Sequence, residues 1–383
     1  MVKFSIVIPT RERLGTLIHT LPACLRIERD DVEFVVCDNF SQDGTADYLE
    51  TIKDPRVRKY RTNQRLSMKD NFEHGLTRAQ GAYLCFIGDD DLIIPYLFSL
   101  IEQEIENNIE TVCWNRWVYY WPDSYESPNT LIINDHNFRV ALSSKRVLDA
   151  SLRYFLNYQN LPSLYNSFTH REVFQRVINY NCSNLKTENF YPQEAISPDV
   201  FSALQILRFT NSFVHMGLPF TVSGISKSSN GAGVANNSEE SQKFVQELQV
   251  KQLSDLLNVA LLSLKDQKMS YHITNLSDYI CFILNYMSED LQEDIFLDLI
   301  TSGCRTLLEI GNIDADAAMR LITDHGISTS IINSRINLLD QGFYTLFRVP
   351  MFNRVVIDGD EYGFRNSFDT SIFLDNYLGS LLS

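Results

Sequence analysis

The residues with the most chemistry to offer are Asp89, Asp90 and Asp91, three consecutive carboxylates that follow Gly88 directly after the apolar run 82–87. Adjacent carboxylates on a tight turn repel one another unless something positive binds there. A divalent cation meets that need. Mg2+ and Mn2+ prefer oxygen ligands and take one or two carboxylates together with substrate phosphates, so few protein ligands are required. The alternative is a solvated turn in which Asp is favoured for local hydrogen bonding. Two other polar clusters also follow apolar runs: Pro9-Thr10-Arg11 and Asp38-Asn39-Phe40-Ser41. Asp38 is suited to accept the imide or amino proton of a nucleobase. Thr10, Arg11 and the turn at 41–45, Ser41 included, can hold a base, ribose or phosphates, although Asp43-Gly44 is equally ordinary turn chemistry before a helix. Lys69 sits in the first turn of an expected helix, where amide ends and a cation both suit a diphosphate; a solvated lysine is the competing reading.

The elements that must position these groups alternate. Residues 4–8 form a short β-branched run, and Leu14, Leu17, Leu21 and Leu25 repeat at helical spacing after it. Residues 33–37 are the next strand and 45–52 the next helix, with Ala46, Leu49 and Ile52 on its apolar side. A brief strand at 57–60 precedes a helix with Ser67 as N-cap, Met68, Phe72, Leu76 and Ala79 as its buried stripe, and Gly81 closing it. Residues 82–87 read as a fully buried strand, Pro95 opens a helix, and 111–118 read as one further strand. Such alternation is α/β: a mainly parallel sheet with helices on both faces, binding ligands at the carboxyl ends of its strands. The three polar clusters all lie at such ends.

At 383 residues the chain exceeds the roughly 100 to 200 residues of one domain, so a large catalytic domain and a smaller C-terminal one are expected. Hydrophobic residues at 44% and charged residues at 21% are the balance of a globular protein. The formal charge of −15 argues against nucleic acid as a partner, because phosphate backbones require a basic surface. Seven scattered cysteines without a C-x-x-C pair point to reduced thiols rather than a zinc site or disulfide framework. No stretch reaches the roughly 18 apolar residues of a membrane span, and the N-terminal run is too short for a signal peptide, so a cytoplasmic location is expected. The Gly, Ser and Asn-rich residues 223–238 read as a mobile loop at the domain boundary, whose part 226–231 is either a lid over a ligand or a plain linker.

In their order, the segments Phe4-Ser5-Ile6-Val7-Ile8-Pro9-Thr10-Arg11, Phe34-Val35-Val36-Cys37-Asp38-Asn39-Phe40-Ser41-Gln42-Asp43-Gly44-Thr45 and Tyr83-Leu84-Cys85-Phe86-Ile87-Gly88-Asp89-Asp90-Asp91-Leu92-Ile93-Ile94-Pro95 resemble the family 2 glycosyltransferases of GT-A fold. The resemblance covers residues 1 to about 100 well, 100–225 loosely and the remainder hardly at all. It implies a GT-A-like catalytic domain over residues 1–238, a Rossmann-like, mainly parallel sheet flanked by helices, with a nucleotide-sugar half at about 1–118 and an acceptor half at about 119–238. A mostly helical C-terminal domain over 239–383 would follow, with a homo-oligomer through it left open.

The same resemblance implies that Pro9, Thr10, Arg11, Asp38 and Lys69 line the nucleotide and that the acidic turn bridges ribose and metal. Counting back from Pro95, Asp90 holds the metal-ligand position and Asp89 the one before it. Gly88 stands where the family pattern has its first acid, which keeps Asp91 as a second metal candidate. An inverting transfer needs a carboxylate to take the acceptor's proton, and in similar proteins it lies about a hundred residues after the acidic turn, at the start of a helix. Asp199, in Ser197-Pro198-Asp199, matches that placement, with Glu194 as the second candidate. An ordinary acid in a helix's first turn is the alternative.

The implied activity is metal-dependent transfer of a sugar from a nucleoside-diphosphate-sugar, a UDP-sugar favoured, with Mn2+ or Mg2+, to a saccharide or glycolipid acceptor in surface polysaccharide biosynthesis. One alternative is a sugar nucleotidyltransferase, which should carry a Gly-rich basic loop after the first strand; none is present. Another is a non-catalytic GT-A-like sugar-binding or assembly protein, for which Gly88 is the hint. No G-x-G-x-x-G or P-loop follows the first strand, which disfavours a dinucleotide or P-loop enzyme. Trp114, Trp117, Tyr119, Tyr120 and Trp121 are either sugar platforms or core, and His136, His170 and His215 lack metal-ligand spacing.

Overall fold

A computed structural model describes residues 2–134, 138–229, 271–309 and 354–382. Its first half is built on the expected alternation. Strand β1 (Phe4–Thr10) is buried along its whole length and pairs in parallel with β2 (Val32–Asp38) on one side and β4 (Tyr83–Phe86) on the other; β2 pairs in parallel with β3 (Val57–Arg61). A strand buried on both faces reads as a continuous apolar run, and the period of two divides its side chains between two cores. Ile6, Ile8, Phe34 and Val36 join Leu17 and Leu21 of α1 (Leu14–Leu25) on one face. Val7, Val35 and Phe86 join Phe72 and Leu76 of α3 (Met68–Arg78) on the other. The helix α2 (Thr45–Thr51) follows β2, and Ser67 caps α3 as expected, accepting the Asp70 N–H at 3.1 Å.

After β4 the chain passes through the acidic turn into β5 (Leu92–Ile93), which belongs to a second sheet. A single 3-10 turn at Pro95–Leu97 leads to α4 (Phe98–Glu106). The expected strand at 111–118 is two strands in two sheets: β6 (Thr111–Trp114) in the first and β7 (Trp117–Tyr120) in the second. The break falls at Asn115-Arg116, where Asn115 donates its N–H to the Met216 carbonyl at 3.1 Å and its side chain meets His215 Nε2 at 2.9 Å. The polar pair Asn115-Arg116 interrupts the apolar residues at the place where the chain changes sheet.

The remaining elements complete the two sheets and cover them. They are β8 (Thr130–Asn134), β9 (Arg139–Ser143), α5 (Ser144–Tyr154), β10 (Ser167–His170), α6 (Arg171–Asn184), α7 (Pro198–Phe209), β11 (Ser212–Met216) and β12 (Thr221–Ile225). The first sheet runs β3-β2-β1-β4-β10-β6-β11-β9, with β10 antiparallel to both its neighbours. The second runs β13-β8-β7-β12-β5, in which β13 is Arg354–Asp358. Thus residues 223–225, expected in a loop, are strand, held in parallel against β7 by ladder pairing that local composition does not reveal.

The boundary expected at 238/239 lies outside the described residues, as does the apolar repeat at 253–264. The described residues beyond it pack on the first half. β13 extends the second sheet, α10 (Ser367–Leu382) lies against α1 and β5, and α8 (Tyr271–Tyr286) and α9 (Glu289–Glu309) pack on α7 and α5 respectively. No helix among the described residues is long and apolar enough to cross a membrane.

Gly81 has a different duty from the expected one. The helix ends at Arg78 with Ala79 as C-cap, and Gly81 lies against β1, donating its N–H to Ser5 Oγ at 2.7 Å. A Cβ there would stand 2.6 Å from Ser5 N and 2.7 Å from the Phe4 carbonyl carbon, backbone that cannot yield cheaply. Gly81→Ala is expected to lower unfolding free energy by about 2 kcal/mol, measured by denaturant titration; an unchanged midpoint would show that β1 shifts freely.

Candidate functional site

The acidic turn sits where the chain leaves the first sheet for the second, and each carboxylate has its own surroundings. All three are at most 5% exposed. Asp91 closes the turn: its Oδ2 accepts the Gly88 N–H at 2.7 Å, its Oδ1 the Gly224 N–H of β12 at 2.9 Å, and Arg116 Nη2 stands 3.6 Å from Oδ2. Asp90 is held by hydroxyls, its Oδ2 accepting from Ser226 Oγ at 2.8 Å and from Ser229 Oγ, while Trp121 Nε1 donates to its carbonyl at 2.9 Å. Asp89 accepts from Thr10 Oγ1 at 2.6 Å and from Arg13 Nη1 at 3.0 Å. Burial holds the Asp89 and Asp91 carboxyls above the usual range, and neighbouring Asp90 pushes both the same way. Arg13 pulls Asp89 down and Arg116 pulls Asp91 down.

Two glycines make this packing feasible. A Cβ at Gly224 would fall 1.7 Å from the Asp90 carbonyl oxygen, so only glycine lets β12 approach the turn. A Cβ at Gly88 would fall 3.0 Å from Asp90 Oδ1 and 3.2 Å from the Asp91 carboxyl carbon. The absent first acid is therefore accounted for locally, because a side chain at 88 would crowd the two carboxylates that follow.

Beside the turn opens a cleft lined by Thr10, Arg11, Arg13 and Asp89 together with Asn71, Phe72 and Tyr165. Arg11 reaches the Leu66 carbonyl at 3.3 Å, which Asn39 Nδ2 also holds at 2.9 Å. Asn71 Oδ1 is buried and takes no hydrogen bond. Arg13 spans the rim, donating its second nitrogen to the Ser228 carbonyl at 2.5 Å, so the segment after β12 is tied across Asp89 and Asp90. Residues 226–229, expected as a lid or a linker, thus lie on the acidic turn; 230–231 lie outside the described residues.

Asp199 is not among the residues that line this cleft. It stands in the first turn of α7, after Ser197 and Pro198. Burial pushes its carboxyl up to about 6, against the pull of the Val200 N–H and of Arg116. Arg116 lies over the Tyr165 ring at 5.4 Å, and Tyr165, which lines the cleft, feels the charges of Asp91, Asp199 and Asp89 together. A common field therefore links Asp199 to the acidic turn across the Tyr165 wall. Glu194 is half-buried in the segment before α7, and its charge acts on Cys281 of α8.

Of the residues expected from sequence, Pro9, Thr10, Arg11 and Asp89 line one cleft. Asp38 lies deeper at 1% exposure, its Oδ1 accepting the Ser41 N–H at 2.9 Å and its Oδ2 3.6 Å from Arg61 Nε without a hydrogen bond. Ser41 Oγ accepts the Glu12 N–H at 2.9 Å and so ties the turn after β2 to the loop after β1. Lys69 turns to the Pro192 carbonyl and to Asp70, each at 3.5 Å. Asp91 has both oxygens engaged by the turn and β12, as described. Arg13, Arg116, Tyr165, Asn71 and Gly224 belong to this region and were not singled out from sequence; they are single residues on separate elements, without a motif around them. Trp114, Trp117, Tyr119 and Trp121 are core, with no more than 5% exposure. His215 is buried against Asn115 with its imidazole pushed down to about 4, His170 caps α6, and His136 lies outside the described residues.

Against known proteins, residues 5–176 match the model of glycosyl transferase family 2. The GalNAc(5)-diNAcBac-PP-undecaprenol beta-1,3-glucosyltransferase of Campylobacter jejuni is 28% identical over 119 residues, 30% of this chain and 38% of that protein. The chain therefore spans well under half the length of this curated relative. Among solved structures, S. aureus TarS 1-349 in complex with UDP-GlcNAc is 11% identical with a TM-score of 0.46 over 79% of this chain and 81% of that one. TarS 1-349 in complex with UDP is 13% identical with a TM-score of 0.42 over 93% and 97%. With the three strand-end clusters gathered at one sheet edge and the family model spanning all of them, residues 5–176 are a family 2 glycosyltransferase domain.

Proposed function

We propose that this glycosyltransferase moves a sugar from a nucleoside-diphosphate-sugar, a UDP-sugar favoured, to a hydroxyl of a saccharide or glycolipid acceptor, with inversion, during surface polysaccharide assembly. The observation that carries this is the cleft: Thr10, Arg11 and Asp89 line it together with Tyr165, a residue that feels the charge of Asp199 as well as those of the acidic turn. Thr10, Arg11 and Asn71 supply donors and an acceptor for the nucleoside, and the open lone pairs of Asp38 Oδ2 suit an imide N–H once Arg61 moves aside. The lipid-linked acceptor in the name of the Campylobacter enzyme supports a glycolipid acceptor.

Among the described residues no three His, Cys, Asp or Glu side chains are grouped to enclose a metal ion. The donor set fits one all the same: Asp90 and the hydroxyls of Ser226 and Ser229 are hard oxygen ligands, and Mg2+ or Mn2+ completes its shell with substrate phosphates. Buried carboxyls held above their usual range are in the electrostatic state that an added cation relieves. Asp90 would hold the ion, and Asp91 fixes the turn. When bound, the ion offsets charge growing on the leaving diphosphate. Asp199 takes the proton from the acceptor hydroxyl as it attacks the anomeric carbon, and burial brings its carboxyl close to the working pH.

Calorimetric titration of UDP, GDP, CDP and dTDP, each with and without Mn2+, is expected to give metal-dependent binding of one nucleotide, weakened at least about 10-fold in Asp90→Ala. Binding of none of them under either condition would sink the transferase reading. Gly224→Ala should weaken the same metal-dependent binding, because its Cβ displaces the Asp90 carbonyl; nucleotide affinity equal to wild type would show that the turn does not hold the ion. Asp199→Asn should lower kcat by about 10² to 10⁴-fold. The base works deprotonated, so wild-type activity should rise with pH through about 6. Arg116 stabilises the charged form, so Arg116→Gln should move that limb to higher pH; a limb that stays put would detach Asp199 from the rate.

A further inference from the structure

The reaction so described makes no use of Asp278, a fully buried acid on α8. Its two oxygens serve two consecutive amides of the segment leading into α7: Oδ1 accepts the Ile196 N–H at 2.7 Å and Oδ2 the Ser197 N–H at 2.9 Å. Ser197, at the N-cap of α7, makes no capping hydrogen bond with its own side chain, so the entry into the helix is held from another element. An apolar side chain at 278 would be cheaper to bury but would leave both amides without acceptors. Burial pushes the Asp278 carboxyl up to about 8 in spite of the two amides and the Ser197 hydroxyl, and Asp199 adds to that push, so the two acids lie within each other's field.

We propose that Asp278 is a positioning residue for the transfer: by clamping the amides of Ile196 and Ser197, α8 sets the direction in which Asp199 leaves the start of α7. This rests on Asp199 being the base. The segment 271–286 is then part of the catalytic apparatus, although it lies beyond the family match at 5–176. A base displaced by about 1 Å loses on the order of 10²-fold in rate, while the nucleotide groups on β1 and the acidic turn are untouched.

The test uses the full chain, with release of nucleoside diphosphate from the donor whose nucleotide binds as the activity. Asp278→Asn turns one acceptor into a donor facing an amide, and is expected to lower kcat by about 10 to 10²-fold with nucleotide affinity within about 2-fold of wild type. Asp278→Glu should recover part of the loss. Ser197→Pro, which deletes one of the two amide donors together with the Ser197 hydroxyl and leaves Asp278 intact, should give the same split and covers the case in which Asp278→Asn does not fold. Unchanged kcat in these variants, with Asp199→Asn inactive, would overturn the positioning role alone. Loss of kcat, nucleotide affinity and thermal stability together, without recovery in Asp278→Glu, would reduce Asp278 to a general stabilising contact. An active Asp199→Asn would instead remove the base reading on which the role rests.

Discussion

Three carboxylates buried side by side at the junction of two sheets are the constraint around which the rest is arranged. Desolvation opposes ionisation of Asp89 and Asp91, and the charge of Asp90 between them adds to it. The fold answers with a different partner for each: Arg13 and Thr10 for Asp89, serine hydroxyls for Asp90, backbone amides and Arg116 for Asp91. Breaking one partner of a buried charge is far costlier than losing an exposed pair, so these residues form a unit rather than a set of independent contacts.

That unit also explains why β12 must come so close. Its Gly224 gives an amide to Asp91 and leaves room for the Asp90 carbonyl, and the serines that follow it meet the Asp90 side chain. The second sheet is therefore a wall of the site as well as a layer of the fold. Trp121, which anchors the same carbonyl from β7's end, shows how an aromatic in the core can set the geometry of a polar turn without touching a ligand.

The same logic runs through α7. Arg116 reaches Asp91 and also lowers Asp199, so the charge balance of the acidic turn and the proton affinity of Asp199 are not independent. The start of α7 is in turn held by α8, from the part of the chain where the family pattern gives no guidance.

The alternation of strands and helices through residue 106, the Ser67 cap, and the placement of three polar clusters at strand ends were legible in the chain itself. Each depends on periodicity or on a residue's own backbone preference, which are local properties. So was Asp199 at a helix start, once the resemblance had pointed to that stretch. What the tertiary structure decided is of another kind. Local pattern cannot show that the segments on either side of Asn115-Arg116 join different sheets, or that 223–225 pair as a strand. The same holds for the apposition of Gly224 and Asp90, 134 positions apart, and for Asp278 at the amides of Ile196 and Ser197. Those depend on contacts between distant segments, and a lone arginine, glycine or aspartate carries no sign of the partner it will meet.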